Sequence, residues 1–274
     1  FRIAARPMPI LHLILVAVIQ GITEFLPVSS SGHLILLPNL TGMDDQGQVI
    51  DVAVHVGTLG AVVLYFWADV KRVLLGLPKI ARRKIDDQNA WLALCLIIAT
   101  IPVILAGLIF KLTGLDDMLR SVAVVGWMTL IFGIVLYWAD QTGPTKKTAE
   151  NWGIKDAITM GLAQILALIP GTSRSGITIT AARRLGYARQ DAARLAMLMS
   201  IPTILASGVL LGAEVAFTMN SAAAKDAAIA AVFAFIMALA ALAVMMRLLR
   251  SVSFTPYVNY RVILGVLQLW IAYT

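Results

Sequence analysis

The chain alternates long apolar runs with short polar ones. Apolar windows lie at about 50–68, 90–112, 120–139, 192–213, 226–248 and 256–273, each close to the ~20 residues a helix needs to cross ~30 Å of hydrocarbon. They predict six transmembrane helices. Two further apolar stretches, about 10–37 and 156–182, are broken near their middles. Pro27, Ser29, Ser30, Ser31 and Gly32 interrupt the first, and Pro170, Gly171 and a hydroxyl cluster around Arg174 interrupt the second. Backbone groups freed by such breaks must be satisfied by protein, water or ligand, so each broken stretch reads as a re-entrant helical hairpin. The N-terminal stretch lacks the small-residue cleavage pattern of a removable leader, so the first helix is expected in the mature protein.

The two breaks resemble each other. Gln20 precedes Ser29-Ser30-Ser31-Gly32 by nine residues, and Gln164 precedes Ser173-Arg174-Ser175-Gly176 by the same distance, an offset of 144. Each copy is followed by three apolar windows. A hairpin plus three crossings is odd, so the second half is expected upside down relative to the first, an inverted repeat over about 10–139 and 156–273 within one membrane domain spanning 1–274. The predicted architecture is all-α and polytopic, with six transmembrane helices and two re-entrant helical hairpins meeting near the midplane.

Composition excludes a water-soluble domain: 59% of the 274 residues are hydrophobic and 14% charged, with a mean hydropathy of +0.85. The net charge of +7 does not point to nucleic acid, because the basic residues lack aromatic interleaving and sit between apolar runs. Topology explains them better. With alternating loops, one side collects Lys71, Arg72, Lys79, Arg82, Arg83, Lys84, Lys146, Lys147, Lys155, Arg183, Arg184, Arg189, Arg194, Arg247, Arg250 and Arg261, while the other collects Arg2, Arg6, Lys111, Arg120 and Lys225. The richer side is expected to be cytoplasmic, with both termini outside. Arg174 alone belongs to neither. Cys95, the single cysteine, falls inside an apolar window and reads as a small buried hydrophobe.

Glu24 and Arg174 are both expected at membrane depth, where an ionisable group costs roughly 2.5–3.5 kcal/mol on insertion scales. They either pair to hold the hairpins together or jointly bind something charged. Gln20 and Glu24, at i and i+4, share a helix face. His33 follows the serine run closely enough to turn toward the same place, whereas His12 and His55 read as polar packers. Seven hydroxyls, on Ser29, Ser30, Ser31, Thr172, Ser173, Ser175 and Thr178, exceed what capping two helices requires. Arg174 with backbone donors from Gly171 to Gly176 suits phosphate oxygens. Glu24 with Gln20 can hold a hard divalent cation, Mg²⁺ or Ca²⁺, since Mg²⁺ typically takes one or two carboxylates plus substrate phosphates. The chemistry expected is that of a diphosphate headgroup in lipid.

At this point Gln20-x-x-x-Glu24 with FLPVSSSGH, followed by PGTSRSGIT, resembles the two signature regions of the bacterial undecaprenyl-pyrophosphate phosphatase family, of the bacitracin-resistance type. The resemblance extends over essentially the whole chain. It implies an integral enzyme of the bacterial inner membrane that removes the terminal phosphate from undecaprenyl diphosphate, uses a divalent cation, and opens its site to the periplasmic side. It also implies metal or phosphate handling by Glu24, acid/base or nucleophilic work by His33, phosphate binding by Arg174, a nucleophilic or substrate-contact role for Ser30, and a phosphate loop lined by Ser173 and Thr178. Family members often carry Glu where this chain has Gln20, so one carboxylate plus an amide is expected to bind metal more weakly. Ser30, His33 and an activated water all remain open as the nucleophile. Expected partners are the polyprenyl diphosphate and membrane lipids, without nucleic acid, and a homodimer stays open.

Two other classes share parts of this pattern. An inverted-repeat transporter or lipid-carrier flippase would use the same broken helices to pass an anionic substrate, but needs no group poised for proton transfer. A scaffold would tolerate loss of both Glu24 and Arg174.

Overall fold

A computed structural model describes residues 9–37, 42, 46–216 and 221–274; Arg2 and Arg6 lie outside them. The described residues form helices and no β-strand. The first broken stretch folds as α1 (Ile10–Thr23) and the five-residue α2 (Ser30–Leu34). Then come α3 (Gly47–Tyr65), α4 (Trp67–Ala81), α5 (Gln88–Thr113), the short α6 (Leu115–Met118) and α7 (Val122–Thr142). A 3₁₀ turn at Ala149–Asn151 leads into the second broken stretch. It consists of α8 (Ile154–Gln164), a 3₁₀ turn at Ile165–Leu168 and α9 (Arg174–Arg184). The chain closes with α10 (Arg189–Ala216), α11 (Ser221–Leu248) and α12 (Thr255–Tyr273).

Five of these helices are long and apolar enough to cross a membrane: α3, α5, α7, α10 over Arg189–Gly212 and α11 over Ala223–Leu248. The sixth apolar window is helical as α12, 19 residues long, but Asn259, Arg261 and Gln268 lower its hydropathy below that of the other five. α1, at 14 residues, rises only ~21 Å, less than the ~30 Å of a bilayer's hydrocarbon core. Ordinary local chemistry sets the long helices. Asp87 caps α5 by accepting from the Ala90 amide at 2.9 Å, Gly114 ends it at φ 69°, and Ser121 caps α7 through the Val124 amide at 3.2 Å.

α11 lies along both α3 and α1, and α12 along α7. Small residues permit this approach: a Cβ on Gly57 would come within 2.2 Å of the Ala231 carbonyl oxygen, so α3 and α11 are in backbone contact, as membrane helices commonly are. Leu105, Ile109, Val244 and Ile263 remain exposed. In a membrane chain such side chains form the lipid-facing surface.

Ion pairs tie several helices and the 3₁₀ turn to one another. Asp140 is held by Arg183 at 3.0 Å and Arg189 at 2.8 Å, while Asp69 pairs with Arg194 and Arg72, both of which reach Glu150. Hydrogen bonding to Arg72 keeps the Glu150 carboxyl below the usual carboxylate range. All four cations belong to the group that sequence placed in loops on one side, but each stands in a helix: Arg72 in α4, Arg183 in α9, and Arg189 and Arg194 in α10. Arg183 and Arg261 depart furthest from a loop placement: both are buried, in α9 and α12.

Candidate active site

Both breaks are built by the same local device. Ser29 and Ser173 adopt φ 72° and 71°, a region that side chains other than glycine rarely enter. Each is the N-cap of the short helix that follows. Ser29 Oγ accepts from the Gly32 amide at 3.3 Å, and Ser173 Oγ from the Gly176 amide at 3.1 Å. Each Oγ also lies 3.2 Å from the hydroxyl two residues on, Ser31 and Ser175 respectively. The caps fix where each helix begins, so Ser30 and Arg174 become the first residues of α2 and α9.

These two side chains meet on Glu24, the residue after α1. Glu24 is 8% exposed. One carboxylate oxygen, Oε1, is paired with the Arg174 guanidinium. The other, Oε2, accepts from Ser30 Oγ at 2.9 Å and from Gln20 Nε2 at 2.7 Å. The i, i+4 relationship on α1 thus places Gln20 directly behind the carboxylate. A cavity of about 220 Å³ opens in front of it, lined on its polar side by Glu24, Ser29, Ser30, Ser31, His55, Ser173 and Arg174. Val103, Ala167, Leu168 and Ile204 supply its apolar side. Such a division suits an amphiphile whose head is anionic, because the charge meets Arg174 while the chain keeps to hydrocarbon.

The loops are also fastened to each other. Ser175 Oγ donates to the Leu26 carbonyl at 2.9 Å. Arg261 reaches between them from α12, donating to the carbonyls of Pro27 at 3.3 Å, Gly171 at 3.0 Å and Thr172 at 3.0 Å, and to Thr129 and Met128 of α7. No carboxylate pairs with it among the described residues. The cost of burying this charge is offset by carbonyl dipoles alone. Gly171 makes the second turn possible: its φ is 93°, and a Cβ there would sit 2.3 Å from the Val125 carbonyl oxygen.

Residues 13–267 match the model of the family described as "Bacitracin resistance protein BacA". The chain belongs to this family. Proteins named undecaprenyl-diphosphatase from Roseobacter denitrificans and Dinoroseobacter shibae are 68% and 69% identical to it over 267 residues, each alignment covering 97% of this chain and 100% of the relative. The "Undecaprenyl-diphosphatase 1" of Rhodospirillum rubrum is 45% identical over 272 residues, 97% of this chain and 96% of the relative.

In this BacA-family chain the residues singled out by sequence occupy three kinds of position. Glu24, Ser29, Ser30, Ser31, Ser173 and Arg174 line the cavity, with Gln20 behind Glu24. Gly171, Thr172, Ser175, Gly176 and Thr178 shape the loop: Thr178 Oγ1 donates to the Arg174 carbonyl at 2.8 Å, and Gly171 N–H points to Ser31 Oγ at 3.5 Å. His33 faces elsewhere. Its Nδ1–H donates to the Ser29 carbonyl at 2.7 Å, and its Nε2 accepts from the Tyr260 hydroxyl at 2.6 Å beneath a stacked ring. Two residues near the site escaped the sequence reading. His55, taken for a packer, has Nε2 3.8 Å from Glu24 Oε2, and Arg261 was assigned to a loop. Both stand inside apolar windows, the same signal that marked Arg174.

Proposed function

We infer that this chain is an undecaprenyl-diphosphatase. It hydrolyses undecaprenyl diphosphate to undecaprenyl phosphate and inorganic phosphate, which recycles the lipid carrier for peptidoglycan synthesis and confers bacitracin resistance. The observation that carries the reading is the meeting of Ser30 and Arg174 on Glu24 in one half-apolar cavity, in a chain whose relatives of that name match it over 97% of its length.

The geometry supports a division of labour. Arg174 grips oxygens of the terminal phosphoryl group with its guanidinium fork, at the positive end of α9. Glu24 Oε2 already accepts from Ser30 Oγ, so it is placed to take a proton from that hydroxyl or from a water at the same point. Attack on the terminal phosphorus breaks its bond to the bridging oxygen, which leaves on undecaprenyl phosphate. If Ser30 attacks, water then releases the phosphate from it. His33, bonded to Tyr260 and the Ser29 backbone, supports the strained serine rather than attacking.

A divalent cation, Mg²⁺ or Ca²⁺, is part of the proposal, with Glu24 and Gln20 as its protein ligands. Gln20 is fully buried with its amide nitrogen 2.7 Å from Glu24 Oε2, and among the described residues its Oε1 has no hydrogen-bond partner, which leaves a carboxamide oxygen available to a hard ion. Bound there, the ion would neutralise diphosphate charge.

The proposed setting is the bacterial inner membrane, with six crossings, two re-entrant hairpins in an inverted repeat, both termini outward and the cavity open to the periplasmic side. The matched geometry of Ser29 and Ser173 supports the repeat, and the clustering of basic loops at one end supports the orientation. The test is phosphate release from a detergent-solubilised prenyl diphosphate. Release that Ser30→Ala and excess chelator both suppress is expected; no release from a folded, cation-replete protein overturns the reading.

A further inference from the structure

A second cavity, of about 400 Å³, lies among the ends of three helices and shares no residue with the one in front of Glu24. It is lined by Tyr65, the last residue of α3, by Gln190 at the start of α10, and by Ala243, Met246, Arg247 and Arg250 at and just beyond the end of α11. Gln190 Nε2 donates to the Met246 carbonyl at 3.0 Å and joins α10 to α11 at its wall. All three helices are long and apolar enough to cross a membrane. A cavity at their ends therefore falls at headgroup depth. Arg183, Arg189 and Arg194 are taken up by carboxylates, whereas neither Arg247 nor Arg250 has a side-chain hydrogen bond or ion pair among the described residues. No carboxylate lines the cavity. Its rim is apolar: Leu64 precedes Tyr65, Val244 follows Ala243 and Leu248 follows Arg247, and all three are exposed. Trp67, also exposed, is an aromatic of the kind found at the membrane–water interface. Unpaired arginines at helix ends alone would express nothing beyond the positive-inside bias. A cleft between spans that adds a phenol and an apolar rim to two guanidinium groups has the chemistry of an anionic-lipid site.

We propose that this cleft binds the headgroup of an anionic phospholipid, with the phosphodiester held by Arg247 and Arg250 and the acyl chains lying on Leu64, Val244 and Leu248. Tyr65 adds a hydroxyl donor. Two positive charges then meet one negative phosphodiester, whereas a zwitterionic lipid brings a cation of its own that the arginines repel. A soluble phosphate ester has the charge but nothing for the apolar rim, so the occupant is the lipid. In the orientation proposed above the cleft faces the cytoplasmic leaflet, where a negative surface potential favours such contacts.

The experiment uses the full-length protein in detergent, equilibrated with equal amounts of phosphatidylglycerol and phosphatidylcholine bearing the same acyl chains. Lipid retained after washing is quantified by mass spectrometry. Wild type is expected to retain phosphatidylglycerol preferentially, and Arg247→Gln and Arg250→Gln should each lower the ratio about 5-fold. Ala243→Phe, which fills the cleft with both arginines kept, should lower it as well. Arg82→Gln/Lys84→Gln, which removes two exposed charges outside the cleft, should leave it unchanged. Thermal midpoints check that the variants fold, and the wild-type ratio stands without any variant. Equal retention of the two lipids by wild type, or an equal loss of preference in the Arg82/Lys84 variant, overturns the proposal. Displacement of the bound lipid by excess glycerol 3-phosphate would overturn it too, by making a soluble phosphate ester the ligand. Phosphate release from a prenyl diphosphate is measured separately, so failure here and failure of the phosphatase reading are distinguishable.

Discussion

Ser29 and Ser173, 144 positions apart, hold the same left-handed backbone conformation and cap the helices that begin at Ser30 and Arg174. Two residues whose side chains meet on Glu24 are thus aimed by one local device used twice. The device combines a stabilising cap with a strained φ, and the two effects separate on substitution. Ser173→Gly removes the hydroxyl but relieves the backbone, whereas Ser173→Ala removes the hydroxyl and keeps the strain. Ser173→Ala is expected to be the less stable variant by about 1 kcal/mol, read as a lower thermal midpoint in detergent. The reverse order would mean that neither capping nor φ governs this turn.

Arg261 satisfies five carbonyls from two loops and α7 with one guanidinium. Each carbonyl left without a donor costs about 1–3 kcal/mol. Arg261→Met is therefore expected to abolish folded protein or to lower the thermal midpoint by at least ~10 °C. Arg261→Lys should recover little, because an ammonium has three donors. A midpoint unchanged in Arg261→Met would show the loops to be held by other contacts.

How much of this was legible without coordinates differs from residue to residue. The breaks at Pro27 and Pro170 stood out because glycine, proline and hydroxyls interrupt apolar runs, and Glu24 and Arg174 because charge in hydrocarbon needs a reason. Gln20 was placed by helical spacing alone. Proximity along the chain put His33 beside the serines, and it does bond the Ser29 carbonyl, while its other ring nitrogen turns to Tyr260. His55 approaches Glu24 only through the packing of α3 near α1, a contact 31 residues apart in sequence that no local period encodes. Arg261 was lost to the charge count because it lies six residues into the last helix, near the basic residues Arg247 and Arg250.

Glu150 reports on the ion-paired end. Its folded-state acidity is strengthened chiefly by the hydrogen bond from Arg72, so its stabilising contribution is present above the unfolded carboxylate pKa and fades as pH falls through the lower folded value. Because the side chain is half exposed, the effect should stay within about 1 kcal/mol and weaken with salt. Thermal midpoints of wild type and Glu150→Gln should differ at neutral pH and approach each other as pH falls below the unfolded glutamate value of about 4.3. A difference that grows on acidification would contradict the pairing.

The orientation is testable by cysteine labelling. With Cys95, which is buried, replaced by alanine, a cysteine at position 79 should resist an impermeant reagent applied to intact cells and react after permeabilisation. Labelling at position 79 from outside would invert the proposed topology.

The role of the Glu24–Arg174 pair is decided by removing its members singly and together in purified protein and measuring phosphate release from a prenyl diphosphate. If Arg174 grips the phosphoryl group, Arg174→Ala keeps a near-native thermal midpoint yet loses at least ~100-fold in turnover. Arg174→Lys recovers only part of that loss, because a point ammonium cannot reproduce the bidentate fork. The Glu24→Gln/Arg174→Gln double variant stays inactive. If the pair served only to join the two broken helices, each single variant would lose folded protein and the neutral double variant would regain it. Near-native phosphate release by that double variant would contradict the catalytic assignment.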